Sequence, residues 1–324
     1  MQNRIFNLQN QQEFTAAALA VFKHQFTHNK VYRSFCDLLY IHPSSVSTVE
    51  EIPFLPIQFF KSRTVLSSSE EVQETFTSSG TTGSITSKHL VTDINLYKES
   101  YLKGFAHFYG DIEEYTILAL LPNYLEREGS SLVFMVADLI QKSKKLESGF
   151  YLDNMQELAE KLMELDKNGQ KTLLIGVSFA LLDLTEMQQF NLKNTIIMET
   201  GGMKGRRKEL VREELHALLK DGFGVTEIHS EYGMTELLSQ GYSKGNGLFE
   251  TPPWMKILTR DTEDALTINT SGKNGGINVI DLANYNSCSF IATQDLGKVH
   301  ENGTFEIIGR FDSSDIRGCN LMVL

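Results

Sequence analysis

A chain of 324 residues has room for two average domains, or one large one with subdomains, and can bury a sizeable core. A net charge of -11 argues against nucleic acid or an anionic membrane as the main partner, and 41% hydrophobic with 22% charged residues exclude a long disordered chain. Cys36, Cys288 and Cys319 have neither disulfide-framework nor zinc-site spacing, MQNRIFNLQNQQEF lacks the apolar centre of a signal peptide, and no run reaches the roughly 18 apolar residues of a membrane span. The expectation is a cytoplasmic protein with no membrane span.

Phe14, Ala17, Ala18, Val21 and Phe22 recur at helical spacing and predict helix within residues 10–40. PFLPIQFFKSR at 53–63, with two of the six prolines, predicts an extended passage, and VQETF reads as a strand running into TSSGTTGS at 77–84. From about residue 115 the apolar runs YTILALLP, TLLIGV, NTIIMET and VTEIHSEYG alternate with the helical stretches SSLVFMVADLIQK, NMQELAEKLMELDKNG and RRKELVREELHALLKDG. That alternation predicts an α/β fold, with right-handed crossovers and a mostly parallel sheet flanked by helices. After residue 245 the short runs INVIDLANYN, CSFIATQDLG and KVHENGTFEIIGR, with Gly, Asn and Asp turns between them, predict a small antiparallel β subdomain. The expected division is therefore 1–245, a helical N-terminal segment with the α/β core, and 246–324, a β-rich subdomain.

Several stretches could carry chemistry. In TSSGTTGS the glycines allow tight turns, so amides and hydroxyls can converge on phosphate oxygens; a flexible surface loop is the alternative. No register of GTTGSITSKH fits the Walker A pattern, which removes the main support for a P-loop ATPase. ETGGMKGRRKEL at 199–210 takes a strand through a Gly201-Gly202 turn into a helix, and ligands of open parallel sheets sit at such strand ends. In EIHSEYGMTEL at 227–237, Tyr232 offers a flat ring, Thr235 a hydroxyl and Glu236 a hard oxygen ligand suited to Mg2+. In TQDLG and GRFDSSDIRGC, Asp295 can accept from a ribose diol and Arg310 can neutralise a phosphate, or they are a turn Asp and a surface Arg. Cys319, with Arg317 and Arg310 near in sequence to favour its thiolate, is a candidate nucleophile or a small buried residue; Cys36 and Cys288 are read as buried only. IGVSFALL has Ala180 where a nucleophile elbow needs Gly, and RRKELVREEL reads as a solvated helix face.

Taken in order, TSSGTTGS, the strand-end Gly-Gly turn, EYGMTE, TQDLG and GRFD resemble the adenylate-forming superfamily of acyl-CoA synthetases, adenylation domains and luciferases, over residues 54–319. The resemblance implies that Thr77, Ser78, Ser79, Gly80, Thr81, Thr82 and Gly83 bind ATP phosphates and that Gly201 and Gly202 line the adenine pocket. It further implies that Tyr232, followed by Gly233, packs on the adenine, that Thr235 touches a phosphate and Glu236 holds Mg2+, and that Asp295 takes the ribose hydroxyls with Arg310 beside them. His229, just before EYGMTE, would meet the carboxylate or the acyl intermediate, or is a satisfied structural histidine. Most members continue past the GRxD hinge into a small swinging domain with a catalytic lysine, whereas this chain stops 12 residues after Asp312, so that domain is expected to be absent.

Within the superfamily, LPNYLEREGSSLVFM at 121–135 and the ending DIRGCN are similar to the LuxE-type acyl-protein synthetases of the bacterial luminescence fatty-acid reductase complex. That family activates a fatty acid as acyl-AMP with ATP and Mg2+, moves the acyl group to its own cysteine near the C-terminus, and hands it to an acyl reductase partner. Cys319 stands in that cysteine's place. Two other readings stay open: a phenylacetate-type ligase that releases its acyl group to coenzyme A, and a non-catalytic nucleotide-binding protein.

Overall fold

The computed structural model describes residues 2–78, 85–122, 129–152, 154–201 and 210–311. Two compact units make up the chain, Met1–Glu71 with Pro253–Leu324, and Val72–Pro252.

In the first unit the helix Gln11–His28 starts where Asn10 accepts from the Glu13 amide, one of the orphan donors of the helix start, while Glu13 also accepts from the Gln9 amide just before the cap. It ends at Asn29, which also caps the next helix, Lys30–Leu38, by accepting from the Tyr32 amide. The strands Met255–Arg260, Asn274–Asp281, Phe290–Val299 and Phe305–Arg310 pair antiparallel in that order, and Leu55–Pro56 adds to Phe290–Val299 in parallel. Phe22 packs edge-on against Phe26, Tyr32 and Phe290, which joins the N-terminal helices to the sheet. A buried polar seam runs beside these rings. The Gln25 amide reaches Asn284 O at 2.9 Å, Tyr285 O at 3.0 Å and Ser289 Oγ at 3.2 Å, while its carbonyl accepts from the Ser289 amide at 2.9 Å.

In the second unit the strands Gly149–Phe150, Thr116–Leu120, Thr172–Gly176, Thr195–Glu199 and His229–Tyr232 lie side by side in parallel, in that order. Gly241–Ser243 and Phe249–Glu250 then continue antiparallel. Thr116–Leu120 and Thr172–Gly176 are buried at every residue, as expected of parallel strands covered on both faces. The helices Ser131–Ser143, Met155–Lys167, Ser178–Met187 and Arg212–Phe223 connect them. Gly176 is required by a close approach, because a Cβ there would lie 2.8 Å from Leu181 Cδ2. Glu74–Thr77 and Lys88–Val91 form a separate antiparallel pair.

The alternating pattern thus appears as the parallel sheet it predicts, and the runs after residue 245 pair antiparallel. Two expectations differ from the structure. The N-terminal helices cluster with the C-terminal strands rather than with the α/β core, because helical periodicity shows that a face is apolar but not which sheet covers it. PFLPIQFFKSR is extended only at Leu55–Pro56 and then turns into the short helix Phe59–Ser62, with Phe60 buried. Proline restrains its own residue and the one before it, so Pro56 leaves Phe59 onward free to coil.

Replacing Gln25 by Ala strips partners from the Ser289 amide and from two carbonyls in the seam. Urea denaturation is expected to show a loss of about 2–4 kcal/mol, and Gln25→Glu is expected to be no better, since a buried carboxylate cannot donate to those carbonyls.

Candidate functional site

The parallel strands of the second unit bring their carboxyl ends into register: Leu120 pairs with Gly176, Gly176 with Glu199, and Glu199 with Ser230, with Tyr232 two residues further on. Among the described residues, the expected site residues Gly201, His229 and Tyr232 lie at those ends, with Gly233, Thr235 and Glu236 just beyond. Gly201 follows Glu199 at φ +73°, a left-handed conformation that suits glycine, with its amide donating to Glu199 Oε2 at 2.6 Å. Tyr232 closes the His229–Tyr232 strand, is buried, and meets the Phe249 ring edge-on at 6.1 Å. A Cβ at Gly233 would press on Glu231 Oε1, so a side chain there would require Glu231 to shift. Just beyond it, Thr235 accepts at its carbonyl from His89 Nδ1 at 2.8 Å, and Glu236 is buried.

The neck of the TSSGTTGS loop is also built here. The Thr77 amide donates to Gly129 O at 2.8 Å, the Ser78 amide to Ser87 O at 3.1 Å, and the Ser87 amide to Ser78 Oγ at 2.9 Å. Gly129 sits at φ +81° and a Cβ would lie 3.0 Å from Thr77 Oγ1, so the chain can pass this neck only as glycine. Ser79, Gly80, Thr81, Thr82 and Gly83 of the loop, Gly202 of the turn, and Cys319 lie outside the described residues.

His229 opens its strand and bonds through Nδ1 to the Tyr109 hydroxyl at 3.2 Å. Burial, and after it the Lys244 charge, lower its pKa to about 4, with Glu227 opposing, so the ring is neutral at pH 7. In the first unit, Asp295 and Arg310 face each other across the antiparallel pair, and Arg310 Nε donates to the buried Asp295 Oδ1 at 2.9 Å. Beneath them Arg260 is buried, donating to Ile277 O, Asn278 Oδ1 and Thr293 O.

Sequence reasoning missed the charge at the centre of the strand ends. Glu199 is 3% exposed; its Oε1 accepts from Arg212 Nη1 at 2.7 Å and lies 3.6 Å from His216 Nε2, and its Oε2 accepts from Gly201 N and, at 3.3 Å, from Ser178 Oγ. Burial pushes this carboxyl up, but His216, the Arg212 charge, Ser230 and the Gly201 amide outweigh it and hold it at about 2. One residue before Tyr232 the balance reverses: burial and then the Glu199 charge raise Glu231 to about 8. The available signal was a Glu immediately before a strand-end glycine turn. Arg212, expected on a solvated face, instead points into this network, because the helix Arg212–Phe223 begins beside the Glu199 strand end.

One buried base bonded to the Thr235 carbonyl sets a pH dependence. His89 is buried, and desolvation lowers its pKa from 6.5 to about 4, the Thr235 carbonyl opposing. The unfolded chain takes up a proton below about pH 6.5 and the folded one only near pH 4, so stability falls as pH falls through that window and levels off below it. A loss on the order of 3 kcal/mol is expected across the window, and His89→Gln should flatten that part of the stability profile measured by urea denaturation at stepped pH.

Comparison with known proteins adds to this geometry. The family model described as acyl-protein synthetase, LuxE, matches residues 4–105. The long-chain-fatty-acid–luciferin-component ligase of Vibrio harveyi is 24% identical over 341 aligned positions, covering 98% of this chain and 89% of that one. The enzyme of the same name from Aliivibrio fischeri is 23% identical, covering 93% and 85%. Among solved structures, 2-hydroxyisobutyryl-CoA ligase in its postadenylation state superposes with a TM-score of 0.69 at 10% identity, over 96% of this chain and 70% of that one. ATP-bound MatB of Rhodopseudomonas palustris gives 0.55 at 16% identity, over 75% of this chain, which spans about half the length of MatB (49%). The chain is thus similar in sequence to the LuxE acyl-protein synthetases and shares the fold of 2-hydroxyisobutyryl-CoA ligase and MatB.

Proposed function

We propose that this chain uses ATP to activate a fatty acid. A carboxylate oxygen attacks the α-phosphorus, the bond to the pyrophosphate oxygen breaks, and acyl-AMP and pyrophosphate form. The Cys319 thiolate then attacks the acyl carbon, AMP leaves, and the thioester is handed to an acyl reductase partner. The observation that carries this reading is the likeness over nearly the whole chain to two long-chain-fatty-acid–luciferin-component ligases; the EYGMTE run at the end of the strand His229–Tyr232 supports it.

In this reading Thr77 and Ser78, at the loop neck, lead into Ser79–Gly83 around the phosphates, Gly201 and Gly202 border the adenine, and Tyr232 with Gly233 covers it. Thr235 bonds a phosphate, Asp295 accepts from the ribose hydroxyls, and Arg310 stands beside them. Glu236 fits Mg2+: proteins generally hold that ion by one or two carboxylates, substrate phosphates and water completing the shell, and among the described residues no group of three or more His, Cys, Asp and Glu could hold a metal by itself. When bound, the ion offsets phosphate charge. His229, neutral at pH 7, meets the acyl group as a neutral imidazole and not as a cation. Most of the acceleration then comes from positioning and from donors fixed before the reaction.

Fatty-acid-dependent exchange of pyrophosphate into ATP is the expected activity, with Glu236→Gln lowering it about 100-fold or more. Intact mass spectrometry is expected to show an acylated chain that Cys319→Ala abolishes while exchange persists. Acyl transfer to coenzyme A that survives Cys319→Ala would replace the cysteine step, and ATP binding without any exchange would refute the activity.

A further inference from the structure

We propose that Glu199 and Arg212 are positioning residues that tie the Gly201 turn to the Tyr232 ring and so set recognition of the nucleotide base. The inference rests on the reading above that Gly201 and Tyr232 flank the adenine. An unbroken series of contacts joins the two. The Gly201 amide donates to Glu199 Oε2 at 2.6 Å, and Arg212 Nη1 donates to Glu199 Oε1 at 2.7 Å. The Arg212 guanidinium carbon then lies over the Phe249 ring at 5.0 Å, and that ring meets Tyr232 edge-on at 6.1 Å. A second tie runs along the strand, where Arg212 Nη1 also donates to Ser230 Oγ at 3.2 Å, two residues before Tyr232 and on the same face.

The surroundings keep the pair in one geometry. Gly247 lies at φ +66°, and a Cβ there would stand 2.8 Å from Arg212 Cδ, so the chain passes close against the arginine stem only as glycine. Ser178 Oγ gives Glu199 Oε2 a second donor, and the His216 ring stands beside Oε1. A buried ion pair is a poor device for stability alone, since well-packed apolar groups serve as well or better, but it fixes direction, because a guanidinium and a carboxylate meet in few orientations. Here the fixed direction is that of one backbone amide and one aromatic ring at the ligand end of a parallel sheet. Neither residue touches the nucleotide; both act through Gly201, Phe249 and Tyr232.

The test uses the full chain and two readouts, calorimetric ATP and GTP binding and the kinetics of pyrophosphate exchange. Glu199→Gln and Arg212→Lys are expected to weaken ATP binding and raise its KM about tenfold, to leave kcat within about threefold, and to narrow the preference for ATP over GTP. The double variant should be no worse than the worse single one, because both changes break one chain of contacts. Phe249→Leu, which leaves the buried charges paired, should narrow the ATP-over-GTP preference in the same direction. Unchanged ATP binding in folded variants, or kcat and binding lost together with cooperative melting in all three, overturns the proposal. Wild-type ATP binding without exchange would refute the activity and leave the binding test standing; no binding to the wild type refutes both.

Discussion

A carboxylate buried at a strand end has to be surrounded by donors, since desolvation otherwise drives it to the neutral acid. Glu199 meets that requirement with Arg212, His216, Ser178, Ser230 and the Gly201 amide, and most of these donors act against burial to hold its pKa at about 2. Those donors come from two helices, a neighbouring strand and a glycine turn. Satisfying one charge therefore fixes where the helices Ser178–Met187 and Arg212–Phe223 begin, and where the chain turns after its strand. The parallel sheet supplies the platform, and this charge sets the geometry of its carboxyl edge.

The fixed anion also shapes its neighbours. Glu231, partly buried on the adjacent strand, is raised to about 8 by desolvation and then by the Glu199 charge, so two glutamates a strand apart hold different protonation states at neutral pH. His229 and His89 are both held neutral by burial. The strand ends thus hold Glu199 as an anchored anion against Arg212, while burial pushes Glu231, His229 and His89 toward their neutral forms. The first unit follows a similar rule with the opposite sign. Arg260 is buried against the carbonyls of Ile277 and Thr293 and the Asn278 side chain, and Asp295 opposes the lowering that burial imposes on it.

Much of the fold was legible because its signals are local. Alternation of apolar runs with helical stretches marks a parallel sheet, and each of the runs YTILALLP, TLLIGV, NTIIMET and VTEIHSEYG contains a strand of it. The positions of Gly201 and Tyr232 at the strand ends, with Glu236 just beyond, could be named from strand-end glycines and the EYGMTE run, since parallel strands put their carboxyl ends on one edge whatever the rest of the chain does. Asp295 and Arg310, fifteen residues apart in sequence, could be listed as separate candidates, but their pairing depends on a register shift in the antiparallel ladder that no local pattern encodes.

By itself, then, the sequence determined where the strands and helices of the second unit fall and that its sheet is mostly parallel, because apolar periodicity and glycine placement act over a few residues. Tertiary structure alone decided that the N-terminal helices pack on the C-terminal strands, through Phe22 and Gln25, and that Arg212 turns inward to Glu199 instead of outward to water. Both outcomes rest on contacts between residues far apart in the chain or on different elements. Burial and charge compensation depend on what surrounds a side chain in space, and only the folded chain defines that.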